Sequence, residues 1–142
     1  MKAKFSQLQL KDIQIKKIIL EENLQGQNRF NINIDFDPVL IETEKGKFDG
    51  LLVKIKINDR ARNVKLKVST EILALFEFSK DLNEEKKARM LLYNGLSIIY
   101  GFLRGMIFQK CSYLPPKDRI IPSINLADLI EKTIESRINK IE

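Results

Sequence analysis

The clearest pattern in the chain is the run Phe30, Ile32, Ile34 and Phe36, separated by Asn31, Asn33 and Asp35. A strict period of two puts apolar side chains on one side of an extended backbone and polar ones on the other, so this stretch predicts a strand with one dry face and one wet face. The alternation returns at Leu51, Val53, Ile55 and Ile57, set against Leu52, Lys54, Lys56 and Asn58, and again at Val64, Leu66 and Val68 around Lys65 and Lys67. Turns are supplied by Glu44-Lys45-Gly46-Lys47 and by the stretch from Asp59 to Asn63. Pro38 marks an edge position or a bulge, with Val39 to Ile41 extending the strand. Upstream, between Lys4 and Leu20, Phe5, Leu8, Leu10, Ile13, Ile15, Ile18 and Ile19 are rich in β-branched residues and predict a long, bent first strand, although Ile15, Ile18 and Ile19 also fit a helical face. Glu21 to Asn28 is polar around Gly26 and reads as a connection. Short connections imply antiparallel neighbours, because a parallel crossover needs about a dozen residues or more. The expectation is a four-stranded antiparallel meander with one greasy face and one polar face.

Ile72, Leu73, Leu75, Phe76 and Phe78 are apolar on both parities. Such a segment must be covered on both sides or mark a change of structure. It is expected to end the last strand, with another subunit as a candidate cover.

From there the period changes. Asp81 or Asn83 can cap a helix opening with Glu84 and Glu85, whose charges suit the positive end of a helix dipole. Helical spacing runs to Lys110 through Met90, Leu91, Leu92, Leu96, Ile98, Ile99, Phe102, Leu103, Met106, Ile107 and Phe108. These residues wrap most of the circumference, which fits a core helix, a membrane span or a subunit contact. Asn94 and Arg104 lie inside the stretch and no second span pairs with it, so no membrane span is expected. Gly101 and Gly105, four apart, serve either close packing on the chain's own sheet or the approach of another backbone. A chain offering one sheet and one further helix has little else to cover this cylinder. Self-association as a dimer or tetramer is therefore expected, with Leu92, Ile99, Gly101, Phe102, Gly105 and Met106 at the interface.

Pro115-Pro116 and Pro122 end the long helix and make an irregular connector. A last, amphipathic helix follows, capped by Ser123 or Asn125, with Leu126, Leu129, Ile130, Thr133, Ile134, Arg137, Ile138 and Ile141 along one stripe. Strands first and helices after predict an α+β fold. It is a four-stranded antiparallel sheet followed by two helices packed on one face, in a single domain over residues 1–142.

Composition then removes much of chemistry. Cys111 is the sole cysteine and there is no histidine, so disulfide frameworks, the common zinc sites and histidine-dependent nucleophiles are excluded. No cofactor or metal is expected. Asp35, Asp37, Glu42 and Glu44 cluster, but on a strand exterior and a turn where nothing desolvates them, and no glycine-rich phosphate loop is present. An enzyme is not expected. Arg104 in its oily helix is expected to snorkel or to pair with a carboxylate such as Asp128. The formal net charge of +6 suits an acidic partner, or is simply the background of a lysine-rich chain. Lys54, Lys56, Lys65 and Lys67 form a ladder that would suit phosphates, so a nucleic-acid binder is one alternative, although Phe30 and Phe36 fall on the opposite, dry face. The basic start Met1-Lys2-Ala3-Lys4-Phe5 leads into no continuous apolar stretch, so no signal peptide is evident and a cytoplasmic location is expected.

One stretch and the order of elements resemble the SecB-type protein-export chaperones. That family carries an apolar run reading roughly Ile-Leu-Phe-Pro-Tyr-Leu-Arg in its long helix and a proline-rich connector ending in Leu-Pro-Pro-Ile-Asn-Phe. Here Ile98, Ile99, Tyr100, Gly101, Phe102, Leu103 and Arg104 correspond to the first, with glycine at the family's proline. Ile121, Pro122, Ser123, Ile124, Asn125 and Leu126 correspond to the second. The resemblance implies a dimer of dimers built through the long helix. It also implies an ATP-independent holdase that takes unfolded polypeptide clients in an apolar groove between sheet, crossover and last helix. Client contacts would then be Leu24 on the crossover, Phe30, Ile32 and Ile34 on the second strand, and Leu126, Leu129 and Ile130 on the last helix. The connector from Glu21 to Asn28 lacks the aromatic residues of the family's crossover, which implies a shallower groove. The wet-face lysines stand where typical members offer carboxylates to the SecA motor. Docking to a SecA-type motor is therefore not expected, and a SecB-like chaperone of the kind that accompanies toxin–antitoxin pairs is the alternative.

Overall fold

In the computed structural model, which describes residues 1–141, four strands are followed by helices: β1 (Leu8–Glu22), β2 (Ile32–Thr43), β3 (Gly46–Ile57) and β4 (Leu66–Phe78). The side chain of Ile141 and all of Glu142 lie outside the described residues, so the predicted stripe of the last helix is followed only to Ile138. All strand pairs are antiparallel, and their order across the sheet is β1-β4-β3-β2. The chain thus has the expected α+β architecture, with one correction. β2, β3 and β4 form a meander, but β1 pairs with β4 at the far edge rather than with β2. A short connection does not force neighbours here. Crossing three strand spacings takes about 14 Å, and nine extended residues reach about 30 Å.

Residues 23–31 make that crossing strapped under the β3–β4 turn. The Asn23 and Gln27 amides donate to the carbonyls of Lys65 (2.9 Å) and Asn63 (2.7 Å), and the Lys65 amide donates to Gln27 (2.9 Å). Gly26 is needed at this crossing, since a Cβ there would sit 2.3 Å from the Val64 carbonyl carbon. Asn58 closes the strap. It holds a left-handed backbone (φ 56°), donates Nδ2 to the carbonyls of Arg29 (2.7 Å) and Leu66 (2.8 Å), and accepts from the Asn31 amide at Oδ1 (2.8 Å).

The register sorts the sheet into two faces. One carries Ile32, Ile34 and Phe36 opposite Ile57, Ile55 and Val53, then Val68, Thr70 and Ile72 on β4. Leu51, Val53, Ile55, Ile57 and Ile72 on this face are completely buried under the helices. The other carries Lys54 and Lys56, but also Leu52, Leu73 and Leu75. The face expected to be polar is therefore polar over only part of its length. Pro38 lies within β2, an edge strand, where its missing N–H costs no ladder bond.

The long helix is continuous over Glu84–Lys110 but not uniformly α-helical: α1 (Glu84–Met90), a π segment (Leu91–Gly95) and α2 (Leu96–Lys110). Asn83 caps its start, accepting from the Lys86 amide at 2.8 Å. The extra residue of the π turn keeps Leu91 and Leu96, five apart, both turned inward, ahead of Ile99, Leu103 and Ile107. Gly95 rides over the sheet here, its missing Cβ leaving 3.4 Å to the Phe76 ring. By length and composition this helix could cross a membrane; in the structure its buried residues face the sheet. A short helix, α3 (Pro116–Arg119), and the amphipathic α4 (Leu126–Ile141) complete the fold. Arg137 on α4 shields the free edge of β2, donating to the Phe36 carbonyl and lying 3.3 Å from both Asp35 and Asp37.

Candidate polypeptide-binding surfaces

The two stretches that carry the family resemblance meet in space. The Tyr100 hydroxyl donates to the Pro122 carbonyl (2.6 Å), and Arg104 Nε donates to the Ile121 carbonyl (2.8 Å). Arg104 does not pair with Asp128, which instead faces Lys132 at 3.0 Å. One turn of the long helix thus pins the connector, and Asn125 caps α4 by accepting from the Asp128 amide (3.0 Å). Burial pushes the Tyr100 hydroxyl above its ordinary range, partly offset by the Arg104 charge, so it stays a donor.

A second tie holds crossover and connector together. Asp118, almost wholly buried, accepts from Lys65 Nζ (3.0 Å) and Asn28 Nδ2 (2.6 Å), while Asn28 also donates to the Lys117 carbonyl (3.2 Å). Lys65 is therefore not part of an open ladder of lysines. The remaining wet-face lysines stand among carboxylates as well: Lys54 lies opposite Asp35 and Glu71, Lys67 lies opposite Glu21, and Lys56 is 3.8 Å from Asp59. The signals for Asn28, Asn58 and Asp118 are absent from any local pattern, since their partners are brought in by the crossover.

The client-contact candidates separate by exposure. Leu24 on the crossover is 57% exposed. Phe30, Ile32, Ile34, Leu126 and Leu129 are half-buried and pack against the core. Phe30 precedes β2 rather than lying in it. Ile130 is completely buried, so it supports α4 from below and is not a surface contact. The sheet-to-α4 seam is thus largely filled by the chain's own packing, with the outer edges of Phe30, Ile32, Ile34, Leu126 and Leu129 left at its rim.

The candidates on the long helix also divide. Ile99 is completely buried against the sheet and is corrected from interface to core. Leu92 and Met106 are half-buried, Phe102 is exposed, and Gly101 and Gly105 face outward, with nothing within 4 Å of an added Cβ. Of the two readings of this glycine pair, packing on the chain's own sheet is excluded; Gly95 fills that role. Ile98 and Phe108, which are not among the interface candidates, extend the exposed apolar surface, and Leu10 and Ile15 on β1 are also exposed, on the helix-bearing sheet face. The total accessible area is 9707 Å², against about 7,500 Å² for a compact monomer of this mass. The extended residues before β1 account for about 1,000 Å² of the difference on the unfolded-chain scaling, which leaves more than 1,000 Å² in the folded part.

No family model matches the chain, and no curated protein does. Among solved structures, it is similar to a SecB-like chaperone of Mycobacterium tuberculosis, determined in complex with a ChAD peptide from the HigA1 antitoxin. The two are 17% identical, the match covers 84% of this chain and 93% of that one, and the TM-score is 0.49.

Proposed function

We propose that this chain is a SecB-like, ATP-independent holdase that acts in the cytoplasm as a homo-oligomer and keeps non-native polypeptides from aggregating. The observation that carries the reading is the apolar flank of the long helix left exposed at Ile98 and Phe102, with half-buried Met106 next to it, beside the open backbone at Gly101 and Gly105. Apolar surface of this kind on a folded chain calls for a second apolar surface, either another copy or an unfolded client. Copies would meet along this flank, and clients would contact Leu24 and the half-exposed Phe30, Ile32, Ile34, Leu126 and Leu129. Export through a SecA-type motor is the weaker setting, because the mixed lysine and carboxylate face lacks a uniform negative charge. A chaperone serving a toxin–antitoxin pair, which needs no SecA docking, is the alternative setting. Nucleic-acid binding is disfavoured by the carboxylates set between the lysines.

Light scattering gives the test of assembly, and a solution mass equal to one chain would defeat it. For holdase action, a several-fold excess of the protein should suppress aggregation of a refolding client. Leu24→Asp with Leu129→Asp should weaken that effect while circular dichroism stays unchanged. Ile130→Asp does not serve, since a carboxylate placed in the core would unfold the chain.

A further inference from the structure

The sheet face turned away from the helices carries two adjoining features that the holdase reading does not use. At the crossover end, a cavity of about 590 Å³ is lined by Arg29, Asn31, Asn33, Lys56 and Arg60. It shares Lys56 and Asp59 with a neighbouring hollow of about 340 Å³ that adds Lys17 and Lys67. Five cations here face two carboxylates, Asp59 and Glu21. Of these five cations only Lys56 has an ion pair among the described residues, a long one, and neither Arg29 nor Arg60 has a carboxylate within 4.0 Å there. Two unspent guanidinium forks beside two carboxamides form a recognition surface for carboxylates or phosphates. The volume suits several side chains rather than a single ion.

The second feature lies on the same face, toward the β2–β3 turn. Leu52 lies opposite Leu73, Gly50 lies opposite both Val39 and Leu75, and Phe48 lies opposite Ile41. Val39, Ile41, Phe48, Leu52 and Leu73 are each only half-buried. Gly50 keeps this patch flat and tight, since a Cβ there would meet Val39 at 2.8 Å. Leu52 lies four residues before Lys56 on β3, or about 13 Å of strand from the basin.

We propose that this face docks an acidic polypeptide segment, its carboxylates in the Arg29–Lys56–Arg60 basin and apolar side chains four to five residues away on the Leu52–Leu73 patch. The partner is a peptide rather than a nucleic acid. A phosphate backbone would meet Glu71, Glu21 and Asp35 along its path with uniform repulsion, and no aromatic ring lines the basin for a base to stack on. A peptide can place acids where the cations are and apolar groups where the leucines are. This surface lies on the opposite side of the sheet from the helix flank and is independent of the holdase reading.

Fluorescence anisotropy tests it on the whole 142-residue chain. The probe is a labelled ten-residue peptide with three glutamates followed by leucines at alternate positions. Its competitors are the same peptide with serines for leucines and a single-stranded DNA dodecamer. The peptide should bind, Arg29→Glu with Arg60→Glu should weaken it about tenfold or more, and Leu52→Thr with Leu73→Thr should weaken it about threefold. The DNA should compete no better than the serine peptide. Because Leu52 and Leu73 are not among the client contacts, client aggregation assays should be unmoved by Leu52→Thr with Leu73→Thr, so failure here and failure of the holdase reading remain separate results. Absence of peptide binding, equal affinity in the charge-reversed protein, or stronger competition by the DNA would each overturn the proposal.

Discussion

The inner and outer flanks of the long helix are built from the same kinds of residue and meet opposite fates. Leu96, Ile99, Leu103 and Ile107 are fully buried against the sheet, while Ile98 and Phe102, one position away from Ile99 and Leu103, are each 37% exposed. Hydrophobicity along the sequence is the same on both sides. What differs is supply: β3 and β4 fill the inner flank completely, and the one remaining long helix, α4, goes to the β2 side, where Arg137 grips the strand edge. A helix greasy all round therefore reports how much covering surface it needs, not which copy of the chain provides it.

The sharpest way to break this contrast is a matched pair of truncations. Leu103→Ala should lower unfolding stability by about 3 kcal/mol, because the closed inner seam cannot collapse around the void. Phe102→Ala should cost the isolated chain well under half of that, while reducing the solution mass. Equal losses in denaturant melts would show that the flanks are not distinct. Next in size, Lys65→Met leaves the Asp118 carboxylate buried with Asn28 as its partner and should cost about 2 kcal/mol, less than for a fully buried pair because Lys65 keeps some solvent. Tyr100→Phe should then cost about 1 kcal/mol, read as a lower melting temperature, by orphaning the Pro122 carbonyl.

Gly101→Ala gives the smallest energy and the most telling sign. With open space around the added methyl, it should stabilise the separate chain by up to about 1 kcal/mol through helix propensity. If another backbone approaches there, the same methyl weakens the assembly, so melting temperature and solution mass should move in opposite directions. Alkaline titration probes the inner flank at its end. Burial first, and then the Glu22 carboxylate, push the Cys111 thiol from 9.0 up to about 11. The unfolded thiol ionises first, so stability should fall as pH rises through the window from 9 to 11, and Cys111→Ala should flatten that part of the profile.

The strands were legible because Ile32–Phe36 and Leu51–Ile57 alternate without interruption, and a period of two has one structural reading. Their order was not. β1 reaches the far edge through Asn23, Gly26 and Gln27, whose partners lie some forty residues downstream, and no local pattern encodes a partner at that distance. The wet face is only half legible in the sequence, because Leu52, Leu73 and Leu75 count as apolar there while their gathering depends on strand register. Of the site candidates, Ile99 and Ile130 belong to the core rather than the surface for one reason: apolar spacing marks a stripe without saying whether it points inward. The π turn at Leu91–Gly95, invisible to a fixed helical period, decides that phase for the helix.

By itself the amino-acid sequence determined the element types, the absence of histidine and disulfide chemistry, and the two short stretches that resemble an export-chaperone family. These are local properties, fixed by backbone sterics, side-chain period and composition. Only the tertiary structure decided that Tyr100 and Arg104 clasp the connector at Pro122 and Ile121, that Asp118 binds Lys65 and Asn28, and that Gly101 and Gly105 face outward. Each of those depends on residues far apart in the chain competing for the same buried space and the same hydrogen-bond partners, and packing alone settles that competition.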